Sequence, residues 1–287
     1  MITVRIGGGL GNQLYFYSLG YALAKRTSQK LRFDISNYGK GNHLVKERPF
    51  KLNELCITNA DFFEISMKKG VLNKIYRKLR IGLFVPIFQN GSIDPHEFIK
   101  KPTKNSYWNN FWVKYTFFDE YRDDLSKQFQ VKKELSDQAN QYIAEIENTD
   151  SVMVHIRRGD YVSVNHSVLS MVYYEEAMRL MYTEVKNPQF YFFSDDLQWV
   201  KNKFGEKDNY HYVDKLNNDL EEFAIMSHAT NAILANSTFS WWATYINDHN
   251  KEGIVICPKG GKDDVYPSGW RPMEAKGVDT RIQKDYE

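Results

Sequence analysis

The alternation of apolar and polar positions is regular at the two ends of the chain and weak between them. Ile2–Ile6 is a short apolar run that stops at Gly7-Gly8-Gly9-Leu10-Gly11-Asn12. Apolar residues then recur at helical spacing, at Leu14, Tyr17, Tyr21 and Leu23–Ala24, which predicts an amphipathic helix to about Thr27. Leu31–Ile35 reads as the next strand. From Asn37 to about Asn148 the periodicity fades, apart from Lys132–Glu147, which predicts a helix. Beyond it strands are predicted at Ser151–Ile156, Gln189–Phe193, Tyr210–Val213, Ala232–Ala235 and Ile254–Cys257, the last closing the series before Pro258. They alternate with helices over Tyr173–Val185, Leu197–Phe204, Asp219–His228 and Thr238–Ile246.

Such alternation predicts parallel βαβ units. The strand sequences VMVHI, FYFF, AILA and IVIC are continuously apolar, as a sheet covered by helices on both faces requires. We therefore expect an α/β chain of two domains, residues 1–148 and 149–287.

Composition narrows the function classes. A net charge of +2 over 287 residues gives no electrostatic footprint of a nucleic-acid binder. Cys56 and Cys257 lie too far apart for metal-ligand or redox spacing, so a reduced, cytoplasmic setting is expected. Met1 leads into a strand pattern rather than a signal peptide. The longest apolar run, Ile81 to Phe88, is too short to cross a bilayer and contains Pro86. Lys68, Lys69, Lys74, Arg77, Lys78 and Arg80 are interleaved with apolar residues; segment 68–80 reads as a solvated helix face, as a peripheral contact with the inner membrane, or as a contact with an acidic partner.

The chemistry collects at strand ends. Ser151–Ile156 carries His155 and is followed by Arg157-Arg158-Gly159-Asp160. Gln189–Phe193 is followed by Ser194-Asp195-Asp196, and Ala232–Ala235 by Asn236-Ser237-Thr238-Phe239-Ser240, which opens a helix. Parallel sheets bind ligands at the carboxyl ends of their strands. If these strands share a sheet, one edge presents guanidinium groups, carboxylates and a hydroxyl-rich helix N-terminus. That combination suits a nucleoside diphosphate: helix N–H groups and arginine hold phosphate, and carboxylates accept from a guanine edge or a ribose. Taken singly, Ser237 or Asp196 is as well explained as a helix cap, and His155 as a core histidine. Their convergence carries the reading.

The N-terminal loop, with Asp34 ending the next strand, superficially matches a dinucleotide fingerprint but lacks its third glycine. It reads better as a loop in which Gly9 and Gly11 let backbone approach a substrate, with Asn12 and Gln13 at the helix start.

The runs Gly8-Gly9-Leu10-Gly11-Asn12-Gln13, His155-Ile156-Arg157-Arg158-Gly159-Asp160-Tyr161, Phe193-Ser194-Asp195-Asp196 and Asn236-Ser237-Thr238-Phe239-Ser240-Trp241-Trp242 occur in the order seen in α-1,2-fucosyltransferases, and the chain resembles that family from residue 1 to about 257. The resemblance implies a GT-B-like architecture, two Rossmann-like domains facing a cleft. It implies that the C-terminal domain holds GDP-fucose, that the N-terminal domain is mainly acceptor-side, and that transfer to a galactoside proceeds with inversion and without a metal. The acceptor would be an oligosaccharide or a lipid-linked glycan.

Related fucosyltransferases use the first arginine of the H-x-R motif against the leaving diphosphate, which puts Arg157 in that role, helped by Ser237, Thr238 and Phe239. His155, Arg158, Asp195, Asp196 and Asn236 are the further donor-side candidates. Asp160 is the candidate base, or else a brace for Arg158, and Asn12 and Gln13 would orient the acceptor. Asp195-Asp196 lacks the D-x-D spacing of a metal site. A transferase for another nucleotide sugar and a non-catalytic carbohydrate- or nucleotide-binding module remain the alternatives.

Overall fold

The computed structural model describes residues 1–38, 48–58, 60–63, 88–89, 94–109, 111–158, 168–247, 252–259, 265–275 and 277–278. The basic segment 68–80 and Gly159, Asp160 and Tyr161 lie outside them. The chain divides into two compact units, Met1–Phe129 and Gln130–Glu287.

The first unit holds a parallel sheet of β1 (Ile2–Arg5), β2 (Leu31–Asp34), β3 (Asp61–Phe63), β4 (Phe88–Gln89) and β5 (Ser106–Trp108) in the order β3-β2-β1-β5-β4. Helix α1 (Leu10–Thr27) joins β1 to β2. It is not the one-sided helix that the sequence predicts. Tyr15, Tyr17, Leu19, Ala22 and Leu23 are all buried, because the sheet takes one side and the segment 111–129 another. Tyr17 donates to Gln128, and Tyr21 donates to Asp124 at 2.8 Å, which ties α1 to α3 (Arg122–Gln128). The preceding helix α2 (Pro95–Lys100) starts at Asp94, whose carboxylate accepts from the His96 N–H at 2.8 Å.

The second unit opens with α4 (Asp137–Glu147), shorter than predicted because Ser136 caps it, accepting from the Ala139 N–H at 3.2 Å. Its strands are β6 (Ser151–Ile156), β8 (Gln189–Ser194), β9 (Tyr210–Tyr212), β10 (Asn231–Ile233), β11 (Val255–Lys259) and β12 (Arg271–Glu274). The short strands β7 (Val168–Leu169) and β13 (Gly277–Val278) pair antiparallel apart from the main sheet. The helices are α5 (Met171–Glu184), α6 (Leu197–Phe204), α7 (Asp219–Met226) and α8 (Thr238–Tyr245).

The main sheet runs β12-β11-β10-β6-β8-β9 with every pair parallel. Chain order therefore reverses direction between β6 and β10, the Rossmann arrangement with its switch point there. Val152, Val154 and Ile156 point to one face with Phe190, Phe192, Tyr173 and Met181. His155 points to the other, towards α8.

Two expectations are corrected. The unit boundary falls at Phe129/Gln130, not near 148, so α4 belongs with the second unit. The last apolar strand does not end before Pro258: β11 runs to Lys259 and pairs with a further strand, β12. Pro258 lies past the residues paired with β10, where a missing N–H costs no ladder bond on that side. Among the described residues no helix is long and apolar enough to cross a membrane.

Candidate active site

Strand register assembles the site in the second unit. His155 pairs with Phe193, and Ile156 with Ser194. One residue further along, Arg157 stands beside Asp195, and its Nη1 lies 3.0 Å from that carboxylate. On the other side Ile233 pairs with Val154, so the same count brings Asn236 level with Arg157. Three sequence motifs thus meet at one height, on the carboxyl edge, at the switch point.

Asp195 does two jobs. Besides holding Arg157, its Oδ1 accepts the Arg158 N–H at 2.9 Å. The side chains of Arg157 and Asp195 are 20% and 23% exposed, so the pair is covered yet reachable. Arg158 is directed elsewhere. It is 7% exposed, its guanidinium lies 3.5 Å from the centroid of the Trp199 ring, and its Nε donates to Asp196 at 3.4 Å. Asp196 also caps α6, accepting from the Trp199 N–H at 3.4 Å. Arg158 and Asp196 are therefore committed to fixing the loop, while Arg157 keeps part of its guanidinium exposed beside Asp195.

The α8 N-terminus is built by Ser237, whose Oγ accepts from the Phe239 N–H at 3.3 Å. Asn236 is exposed, and Ser237, Thr238 and Phe239 are partly exposed. His155 is 2% exposed, with Nδ1 2.8 Å from the Ser240 hydroxyl. Burial, reinforced by Arg157, pushes its pKa down to about 3, so the ring is neutral. This corrects its expected role: His155 props α8 from beneath rather than meeting a ligand with an exposed ring.

Sequence reasoning missed Glu222 as a site residue. It lies on α7, close enough to Arg157 and Asp195 for both to act on its charge. Burial pushes its pKa up to about 7, against the pull of Arg157 and with help from Asp219 and Asp195. The signal was an acid amid Leu220, Phe223 and Ala224, a helix face otherwise turned inward. Its neighbour Glu221 is structural. Burial opposes its ionisation, but N–H groups of Asn217 at 2.8 Å and Ser136 at 3.0 Å outweigh that and lower its pKa.

In the first unit, Gly8 has φ +76° and its added Cβ would meet Asn12 Nδ2 at 2.6 Å, so the turn needs glycine there. Gly9 takes the cap position of α1 and Gly11 is buried in its first turn. Gln13 is a correction. It is fully buried, its Nε2 donating to the carbonyls of Gly8 at 3.0 Å and Pro49 at 2.9 Å while Oε1 accepts from the Lys51 N–H at 2.9 Å. It shapes the loop, with both amide N–H groups engaged and the side chain out of reach of solvent. Asn12, partly exposed, is the amide that stays at the surface. Asp34 accepts from the Tyr107 hydroxyl at 2.5 Å and the Ser36 N–H at 2.9 Å, so it is spent on the fold, against a dinucleotide reading. A separate recess of about 500 Å³, lined by Gln141, Glu145, Tyr191 and His211 among others, lies by the amino ends of β6 and β8 and contains none of these candidates.

The chain is 31% identical to the O-antigen biosynthesis glycosyltransferase WbnK of Escherichia coli, over 88% of this chain and 92% of that one. It is 30% identical to an Escherichia coli α-1,2-colitosyltransferase over 99% of both chains. A galactoside 2-α-L-fucosyltransferase, Sec1 of Mus musculus, is 24% identical over 86% of this chain and 64% of its own. The crystal structure of fucosyltransferase NodZ from Bradyrhizobium shares the fold, with a TM-score of 0.53 at 12% identity over 85% of this chain and 92% of that one. The profile of glycosyl transferase family 11 matches residues 1–271, and the chain belongs to that family, the α-1,2-fucosyltransferases.

Proposed function

We propose that this glycosyltransferase moves L-fucose from GDP-fucose to O2 of a terminal galactoside, on an oligosaccharide or a lipid-linked glycan, with inversion at C1. The observation that carries the proposal is Arg157 at the β6/β10 switch point, aimed by Asp195 and level with the capped N-terminus of α8. In the reaction the acceptor oxygen forms a bond to C1 as the C1–O bond to the β-phosphate breaks. The electron pair leaves with GDP, and the acceptor proton passes to a base. Arg157 and the amino end of α8, with the Ser237 and Thr238 hydroxyls, stabilise the charge growing on the diphosphate, the largest contribution a protein makes to such a step. This cationic frame supports a reaction without a metal. Glu222 supplies a carboxylate for the N1–H and N2–H of guanine, groups that uracil lacks. Asp160 is our candidate for the base, and Asn12 for orienting the acceptor.

Product analysis after incubation with GDP-fucose and several terminal galactosides tests the reading. An α-1,2-fucosyl product formed in the presence of EDTA is the expected result. Transfer from UDP-galactose but not from GDP-fucose would sink it. A second donor is favoured by one specific observation, the end-to-end match to a colitosyltransferase. Colitose is fucose without the 3-hydroxyl, so GDP-colitose belongs in the same panel, and a large preference for it would reassign the donor.

A further inference from the structure

Among the described residues three large apolar side chains are exposed: Phe111, Val172 and Tyr182. Phe111, 45% exposed, stands at the carboxyl edge of the first parallel sheet. It follows β5, and β5 neighbours β1 where the strand order of the first sheet changes direction. That is the edge on which an open α/β sheet receives a ligand. The ring is held from behind: Tyr15 meets it edge-on at 5.7 Å and Phe16 at a tilt at 5.4 Å, both from α1. Tyr15 is in turn backed by Phe118 at 5.9 Å. Asn12 lies one turn before Phe16 and so shares its side of the helix. The indole Nε1 of the next residue, Trp112, is buried without a hydrogen-bond partner. A rigid, supported aromatic face beside a side-chain amide is the pairing that recognises a pyranose, apolar C–H groups against the ring and hydroxyls against the amide.

We propose that Phe111, buttressed by Tyr15 and Phe16, is the stacking platform for the terminal sugar ring of the acceptor. The inference rests on the proposed transfer to a galactoside for the nature of that sugar. A β-galactopyranose fits the surface because its axial O4 leaves H3, H4 and H5 together on one apolar face. A lone exposed phenylalanine elsewhere on a surface would need no explanation. The two-ring support and the sheet edge distinguish this one.

The experiment uses the full chain with lactose as probe. Saturation-transfer NMR should show the strongest enhancement at H3, H4 and H5 of the galactose ring, and Phe111→Ala should weaken lactose binding about tenfold. Phe111→Trp should restore most of it, and thermal unfolding followed by circular dichroism checks that the first unit of each variant is folded. Lactose affinity unchanged in Phe111→Ala, or enhancement centred on the glucose ring, overturns the platform. A change from monomer to dimer or the reverse in Phe111→Ala, with lactose binding intact, would assign the ring to self-association instead. Because binding is read without donor, failure of fucosyl transfer and failure of the platform give different results.

Discussion

Under the proposed function, Arg157 and Glu222 are the single groups whose replacement tests the donor site. Replacing Arg157 by Ala removes the charge proposed to face the leaving diphosphate and is expected to lower kcat by about 10²–10³-fold, as loss of one such donor does elsewhere. Arg157→Lys should recover little, since an ammonium cannot hold Asp195 and a phosphate oxygen with one planar fork. Steady-state kinetics on both variants decides this. Glu222 carries a pH signature. Its folded pKa, about 7, lies above the usual 4.5, so folding favours its protonated form. The stability this confers is complete below pH 4.5 and is lost as pH rises through 7. Glu222→Gln, which stays neutral, should therefore raise the melting temperature at pH 8 and leave it unchanged at pH 4.5, while weakening GDP binding at pH 8. A melting-temperature change of equal size at both pH values would contradict the assignment. The sequence made Arg157 visible because it sits in a dense polar motif at a strand end. It hid Glu222, because only the packing of α7 against α4 and α8 separates that acid from Glu221 beside it.

Helices and strands pose a different kind of test. Ser237 is the single side-chain cap of an eight-residue helix, and Ser237→Ala is expected to cost about 1 kcal/mol, read by denaturant unfolding. Gly20 marks where α1 presses closest on its sheet. A Cβ there would lie 2.9 Å from Val4 Cγ2 and 3.0 Å from both Leu31 Cδ1 and Phe33 Cε1. Gly20→Ala should destabilise the first unit by about 1–3 kcal/mol despite alanine's better helix propensity, because overpacking a sheet–helix contact outweighs a propensity gain of under about 1 kcal/mol. Elements were legible where one face or both were buried continuously: β6 and α6 fall on the predicted residues. They were not legible in the first unit beyond β2. The strand Ser106–Trp108 is three residues of mixed character, and the turns around Tyr115–Tyr121 are held by aromatic contacts with α1. Such contacts come from residues about a hundred positions away and leave no local period.

For the molecule as a whole, each unit buries its own core, and a ligand of one need not stabilise both. GDP at a hundred times its dissociation constant should add about 2.7 kcal/mol to unfolding of the second unit, seen in calorimetry as a shift of its transition. UDP at equal concentration should give far less, and an equal shift from both would remove guanine selectivity from the proposal. The two-unit organisation was readable from the restart of strand–helix alternation, but its boundary was not. What draws α4 into the second unit is the Ser136 N–H bonding Glu221 at 3.0 Å, a contact between residues 85 apart in sequence. Nothing in the run Lys132–Glu147 announces that partner.

The guanidinium of Arg158 lies on the Trp199 indole in the same loop that aims Arg157. An indole with a cation on its face emits differently from one without, so the protein carries an intrinsic optical reporter a few residues from its proposed reaction centre. Nucleotide arrival that shifts Asp195 should be followed as a change in tryptophan emission, without any label, and in Trp199→Phe that change should vanish while the nucleotide still binds. The loop that fixes the geometry of transfer would then also provide the clock by which each turnover is timed.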